Sequence, residues 1–321
     1  MRIVALQELQ PTSSVDAGAN LTTSSRIEQR VLFDNPINLL NVQSRKTASR
    51  YQNFTAQKYP MMFFMDLSGD DTLTIVVLLH RDEATLRDIA AQCIALRELI
   101  PQITEILLIN SASPDQGGPI SREIESNYPG LVRAIDTPLA GYGLAVMTGI
   151  NASKSDWVTI IDGDLEYRVE DIPLLFSRRN SSNVILSFRY VKRYSQTRRF
   201  VSYIYNNLIK FRFGIDFRDV GSGLRIYHRK SLLEFDFKSN SSFLTAEIPI
   251  KLILSGCPLT EVGINSYPSP YRSTGIVKPS QIIRVIRELN ECHRELFPPR
   301  RQLYSNKAGF SSNTVERNQQ K

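Results

Sequence analysis

Up to about residue 70 the chain shows no sustained hydrophobic period, and Ser, Thr, Asn and Gln crowd a stretch broken only by a short run at Ile3–Leu6 and an aromatic patch at Tyr59–Met65. From Thr72 a regular texture sets in. The β-branched, apolar run Thr72–Leu79 predicts a buried strand. Asp82 stands where a helix cap belongs, and Leu86, Ile89, Ala90, Cys93, Leu96 and Ile100 then recur at helical spacing until Pro101 stops them. Glu105–Ile109 is a second strand, followed by a polar loop over 110–118, a short helix about Ile120–Tyr128 and a third strand at Leu131–Ile135. Gly141-Tyr142-Gly143 opens a helix to about Ala152, and Trp157–Ile161 reads as a central strand. Further on, the pattern predicts a helix at Val169–Arg179, a strand at Asn183–Phe188, and a helix at Phe200–Phe213 with Phe200, Ile204, Leu208 and Phe211 on one face. A glycine-hinged turn over Asp219–Tyr227 leads into a strand, Phe243–Ser255 is helical, and Leu259–Ile264 is a last strand. A Pro/Ser/Gly loop at Pro268–Lys278 and an amphipathic helix at Pro279–Phe297 complete the pattern. Strands alternating with helices at this interval predict an α/β fold with a mostly parallel, doubly wound sheet and helices on both faces. The expected organisation is one domain over 71–297, an N-terminal extension over 1–70, and a polar tail over 298–321 expected to be disordered.

The central strand ends in Asp162-Gly163-Asp164-Leu165-Glu166. Three carboxylates this close repel one another unless a cation sits among them. Hard divalent cations, Mg²⁺ or Mn²⁺, take one or two carboxylates together with substrate phosphates. Open α/β sheets bind ligands at the carboxyl ends of their strands, so a metal–diphosphate site is one reading. An acidic turn that caps the next helix is the other, and spacing alone leaves both open.

Composition narrows the partners. The chain has 321 residues, 22% of them charged, with a net charge of +7 that suits an anionic partner: a nucleotide, a lipid phosphate, a membrane surface or a nucleic acid. Cys93, Cys257 and Cys292 follow no metal-ligand or disulfide spacing. No apolar run approaches the roughly 18–20 residues that cross a bilayer, so a protein without a transmembrane helix, cytoplasmic and peripheral at most, is expected. Arg189–Arg212 holds seven basic residues, six aromatics and no acidic one. It reads as a solvated face, or as a surface helix lying on a membrane. Single-stranded nucleic acid is the less fitting alternative, because unmetallated carboxylates would repel its phosphates.

Taken in order, these segments resemble the GT-A-fold family 2 glycosyltransferases, and within them the dolichol-phosphate and polyprenol-phosphate mannosyl- or glucosyltransferase branch. The branch reads G-x-G-x-A-x-x-x-G, then D-A-D-L-Q, then a strand ending S-R-Y/F, then D-x-x-S-G-F-R-x-Y. This chain has Gly141–Gly149, Asp162–Glu166, Ser187-Phe188-Arg189-Tyr190 and Asp219–Tyr227. The likeness covers about Leu73–Lys278, and the ordered set is far more specific than any one member. It implies a divalent-cation-dependent inverting transfer of a sugar from a nucleoside diphosphate to a lipid phosphate or a glycan hydroxyl. It also implies roles: Asp162 at ribose or metal, Asp164 on the metal, and Glu166, where relatives have Gln, as a second metal contact. Arg189 and one of Arg198 and Arg199 would face phosphates, Ser222 and Arg225 would close over the sugar phosphate, and Arg272 and Lys278 would form a late phosphate loop. Glu247 is the spare carboxylate for a hydroxyl acceptor, or a packing residue. An ionised lipid phosphate needs no general base.

The first half departs from the family. Where relatives carry P-A-Y-N-E, this chain has Leu79-His80-Arg81-Asp82-Glu83, retaining the Glu; where they carry D-D-G-S-x-D, it has Asn110-Ser111-Ala112-Ser113-Pro114-Asp115. Those loops hold the base in relatives. Asn110 has the groups to bond a base edge and Arg81 has a plane to stack on it, while the retained Glu83, a candidate donor contact, and Asp115 read equally as helix caps. The drift also allows a non-catalytic relative.

Overall fold

A computed structural model describes residues 65–191, 196–267, 269 and 279–298, without the side chain of Arg198. The expectations for residues 1–64, for most of the polar tail, and for Arg272 and Lys278 fall outside these residues. The strands are β1 (Leu73–Leu79), β2 (Ile103–Asn110), β3 (Val132–Asp136), β4 (Trp157–Asp162), β5 (Val184–Arg189), β6 (Arg225–His228) and β7 (Leu259–Ile264). The helices are α1 (Glu83–Leu96), α2 (Gly117–Asn127), α3 (Tyr142–Ala152), α4 (Ile172–Phe176), α5 (Gln196–Phe213), α6 (Arg229–Leu233), α7 (Leu244–Leu254) and α8 (Pro279–Leu296).

The strands form one seven-stranded sheet in the order β3-β2-β1-β4-β6-β5-β7. Strand β6 runs antiparallel to β4 and β5, and the other pairings are parallel. The mostly parallel sheet is therefore as the alternation predicts. From β1 the chain winds outward through β2 to β3, then returns to place β4 on the other side of β1. That reversal makes the carboxyl ends of β1 and β4 a topological switch point, where a crevice opens. Asp162 of β4 stands there in register with Leu78 of β1.

Alternation along the strands explains the two layers. Leu73, Ile75, Val77 and Leu79 of β1 point into one core with Leu86, Ile89 and Cys93 of α1 and Phe176 of α4. Val76 and Leu78 point into the other, with Val146 of α3, Ile209 and Phe213 of α5, Ile250 of α7 and Leu289 of α8. Helices thus cover both faces.

Two local expectations change. The helix predicted over Val169–Arg179 becomes a 3-10 turn, Val169–Asp171, and the five-residue α4. Pro173 near its start lacks an amide, and at its end Arg179 turns inward to the carbonyls of Asp66, Ser68 and Phe176. Arg179 thereby straps the segment ahead of β1 to the domain, with Asp71 as its ion-pair partner at 3.3 Å. On α5 the predicted apolar face is rotated. Ile209 and Phe213 are buried, and Leu208, expected on one face with Phe200, Ile204 and Phe211, packs beside them half-buried. Phe200, Tyr203, Ile204 and Phe211 form the outward stripe, with Phe211 86% exposed. Among the described residues no helix is long and apolar enough to cross a membrane.

Candidate active site

The loops after β1, β2 and β4 each contain a non-glycine residue in the left-handed region: Arg81 (φ 62°), Ala112 (φ 40°) and Leu165 (φ 59°). Such a conformation costs about 1–2 kcal/mol per residue, and strain of this kind gathers at functional sites. Here the three lie after neighbouring strands, around the switch point.

Two of those loops are pinned to each other. The Glu83 carboxylate accepts the amide of Gln116, just before α2, at 2.8 Å, while Asp115 accepts the amide of Glu83, at the start of α1, at 3.0 Å. Each acid caps the other's helix, so the capping reading holds for both. Asn110 is similarly engaged: its Nδ2 donates to Asp136 at 2.6 Å and its Oδ1 accepts the Ser113 amide at 3.4 Å. Its amide joins β2 to β3 and its own loop.

After β4 the chain turns sharply. The Asp164 carboxylate, buried, accepts the amide of Glu166 at 3.0 Å, closing an Asx turn across left-handed Leu165. The turn sends Glu166 toward Arg189, whose Nη1 lies 3.1 Å from Glu166 Oε1. Arg189, the last residue of β5, also grips Asp219 with two bonds, from Nε at 2.6 Å and Nη2 at 3.0 Å. Asp219 and the Arg189 side chain are both buried. Arg189 therefore bridges two carboxylates instead of standing as an arginine waiting for phosphate. The charge that crowding calls for is supplied at Glu166 by a guanidinium.

This alters the expected metal site. Among the described residues no group of three or more His, Cys, Asp or Glu side chains is disposed to hold a metal. The three-carboxylate arrangement is not formed because Glu166 is turned onto Arg189. Asp162, half-buried at the strand end, and Asp164 remain the acidic pair.

The glycine-hinged turn lies directly on Asp162. A Cβ on Gly223 would fall 2.5 Å from Asp162 Oδ2 and 2.8 Å from Tyr167 Cε2, so only glycine fits. Ser222 is buried with its hydroxyl paired to that of Ser187. Arg225, expected to face a sugar phosphate, is spent on the backbone. Its Nε donates to Ser222 O at 2.7 Å, and its other nitrogens reach the carbonyls of Val220 and Thr245 and the Tyr227 hydroxyl. The Thr245 contact has a plain cause. Pro249, inside α7, has no amide to give the carbonyl four residues back, and Arg225 supplies that bond.

Glu247 is enclosed by side-chain and backbone partners. It is buried in an ion pair with Lys251 at 2.8 Å and accepts the amides of Lys238 and Ser239. The packing reading holds for it. The segment it supports meets α3: Gly143 donates its amide to Asn240 O at 3.2 Å, and a Cβ on Gly143 would fall 2.6 Å from Ser239 O. Gly141 donates its amide to the Ser111 hydroxyl oxygen at 3.0 Å, tying the start of α3 to the loop after β2. Arg199 is exposed on the first turn of α5. Three residues went unassigned from sequence. Asp219 was visible only as the first letter of its motif. Tyr142 and Tyr167 flank Asp162, and burial first, then the Asp162 charge, pushes the Tyr142 phenol well above its ordinary range.

An open α/β sheet of this order, with an acidic pair at its switch point, is the GT-A architecture of glycosyltransferases. The chain belongs to glycosyl transferase family 2, whose family model matches residues 74–235. Among curated proteins it is similar to undecaprenyl-phosphate 4-deoxy-4-formamido-L-arabinose transferase of Shewanella sediminis (strain HAW-EB3), 27% identical over 172 residues, 51% of this chain and 51% of that one. The protein of the same name from Edwardsiella ictaluri (strain 93-146) is 28% identical over 193 residues, 56% of this chain and 59% of that one. The chain thus spans about half the length of the curated relatives it matches. Among solved structures, glucosyl-3-phosphoglycerate synthase from Mycobacterium tuberculosis, in complex with Mn²⁺, UDP-glucose and phosphoglyceric acid, superposes with a TM-score of 0.57 at 18% identity. That match covers 70% of this chain and 80% of the other. It speaks to the fold.

Proposed function

We propose that the domain over 71–297 transfers a sugar from a nucleoside diphosphate to a polyprenyl phosphate, with inversion and with a divalent cation. The observation that carries this reading is the acidic pair Asp162 and Asp164 at the β1/β4 switch point, roofed by Gly223. These two residues are the ones that would hold Mg²⁺ or Mn²⁺, with diphosphate oxygens completing the shell. When bound, such a cation neutralises the charge that develops on the leaving diphosphate. The chain's own residues do the rest. Asp162 and Tyr142 orient the donor beside α3, and the Glu166–Arg189–Asp219 bridge holds in place the turn that follows Asp164.

A phosphate acceptor is favoured over a hydroxyl by the position of Glu247. A hydroxyl needs a base to take its proton, and the carboxylate that sequence offered for that task is paired to Lys251. The names of the curated relatives, undecaprenyl-phosphate transferases, point the same way. The direct experiment is a panel of UDP-, GDP- and other nucleotide sugars with Mg²⁺ or Mn²⁺ and a short polyprenyl phosphate. Cation-dependent release of the diphosphate with one donor is expected. No release and no calorimetric binding across the panel would overturn the reading.

A lipid acceptor requires the protein to meet a bilayer, and the outward stripe of α5 is suited to that. Phe200, Tyr203, Ile204 and Phe211 stand exposed among Arg199 and Lys210, a pattern of interfacial helices. Co-sedimentation with vesicles containing anionic lipid is expected to fall several-fold in Phe200→Ser/Phe211→Ser. Unchanged sedimentation would count against this surface.

A further inference from the structure

Four consecutive backbone amides, from Lys238 to Ser241, end on two buried carboxylates from different helices. Glu247 of α7 accepts Lys238 N at 3.1 Å and Ser239 N at 2.9 Å. Glu288 of α8 accepts Asn240 N and Ser241 N, each at 3.3 Å, and the Ser241 hydroxyl. A short turn held at every amide has little freedom, and the loop transmits that rigidity. Asn240 O accepts the Gly143 amide at 3.2 Å, and Ser239 and Asn240 fill the space where a Gly143 side chain would stand. Gly143 lies in the first turn of α3, whose leading amides have no partners within the helix. That turn borders the crevice beside Asp162.

The two carboxylates differ. Glu247 is locked against Lys251, both side chains almost wholly buried. The ion-pair partner of Glu288 is Arg284 at 3.2 Å, whose side chain is half exposed. The Glu288 half of the clamp is therefore removable without stranding a buried cation.

We propose that Glu288 is a positioning residue of the nucleotide-sugar site: by holding Asn240 and Ser241 it fixes Gly143, and with it the first turn of α3 beside Asp162. It touches neither donor nor acceptor. Its effect on the donor rests on the reading of Asp162 and Asp164 as the diphosphate-holding pair, whereas its grip on α3 does not.

The test joins hydrogen exchange of the full chain with calorimetric binding of UDP and GDP, each with MnCl₂. In Glu288→Ala, amides over 141–146 are expected to exchange about tenfold faster, with β1 and β2 unchanged. Affinity for the diphosphate that the wild type binds should weaken about tenfold, an ordinary coupling between linked sites. Glu288→Gln keeps one acceptor oxygen and should recover much of both. Arg284→Ala, which leaves the carboxylate in place, should match the wild type within about twofold. Unchanged exchange over 141–146 in Glu288→Ala overturns the coupling. Faster exchange with unchanged diphosphate affinity overturns its bearing on the site. If Glu288→Ala loses protection in β1 as well, Glu288→Gln decides: an intermediate effect over 141–146 supports the proposal and none overturns it. A wild-type chain that binds neither diphosphate overturns the reading of Asp162 and Asp164, and the exchange data still decide the grip on α3.

Discussion

Replacing Asp164 by Asn is expected to lower the rate of sugar transfer by about 10²–10³-fold while the protein stays folded. The Asn side chain keeps the oxygen that accepts the Glu166 amide, so the Asx turn through Leu165 survives. What disappears is one negative charge at the mouth of β4. Removing a single preorganised electrostatic contact from a transition state costs about 2.7–4 kcal/mol in measured cases, which is the stated fold-change. Circular dichroism and thermal midpoint should stay near the wild type, and excess Mn²⁺ should restore part of the rate if cation affinity is what was lost. A variant within threefold of wild type at limiting as well as saturating cation would remove Asp164 from the site.

The largest stability effect should come from Lys251. Its ammonium is buried, which alone would lower its pKa. The hydrogen bonds and charges of Glu247 and Glu295 outweigh that, and the group is held above the usual lysine value. A raised folded pKa adds stability that is complete below the unfolded value near 10.4 and lost as pH rises through the folded value. Across neutral pH the contribution is therefore constant. Lys251→Met leaves Glu247 buried without its cation, a change that costs about 3–5 kcal/mol in comparable pairs. Urea titration at pH 7 is the measurement. The double variant Glu247→Gln/Lys251→Met should recover at least half of the loss, because the stranded charge goes too. A double variant no better than the single would mean that packing, not charge, sets the cost.

The sheet was legible because its signal is local. An unbroken apolar, β-branched run in β1 and β4 and a period near three and a half in α1 and α8 are each set by a short stretch of neighbouring residues. The acidic pair was legible for a similar reason, since a strand that ends in Asp162-Gly163-Asp164 announces a strand-end site. What could not be read were the partners that side chains find across the fold. Arg189 looked like a phosphate ligand until Asp219, thirty positions on, was seen gripping it. Glu247 looked like a spare base until the turn at Lys238 and Ser239 closed on it. Arg225 is an intermediate case. Pro249 within a predicted helix leaves one carbonyl without a donor, and that need was visible in the sequence, though not which residue would meet it.

The paired bonds from the Glu83 amide to Asp115 and from the Gln116 amide to Glu83 have a bearing on how this domain can vary. Because each acid finishes the other's helix, the two loops that drifted from the family pattern behave as one inheritable unit. The family pattern keeps an acid at both positions, so a relative's loop grafted on either side would preserve the clasp, whereas Glu83→Ala would leave Gln116 without its acceptor and Asp115→Ala would strand the Glu83 amide.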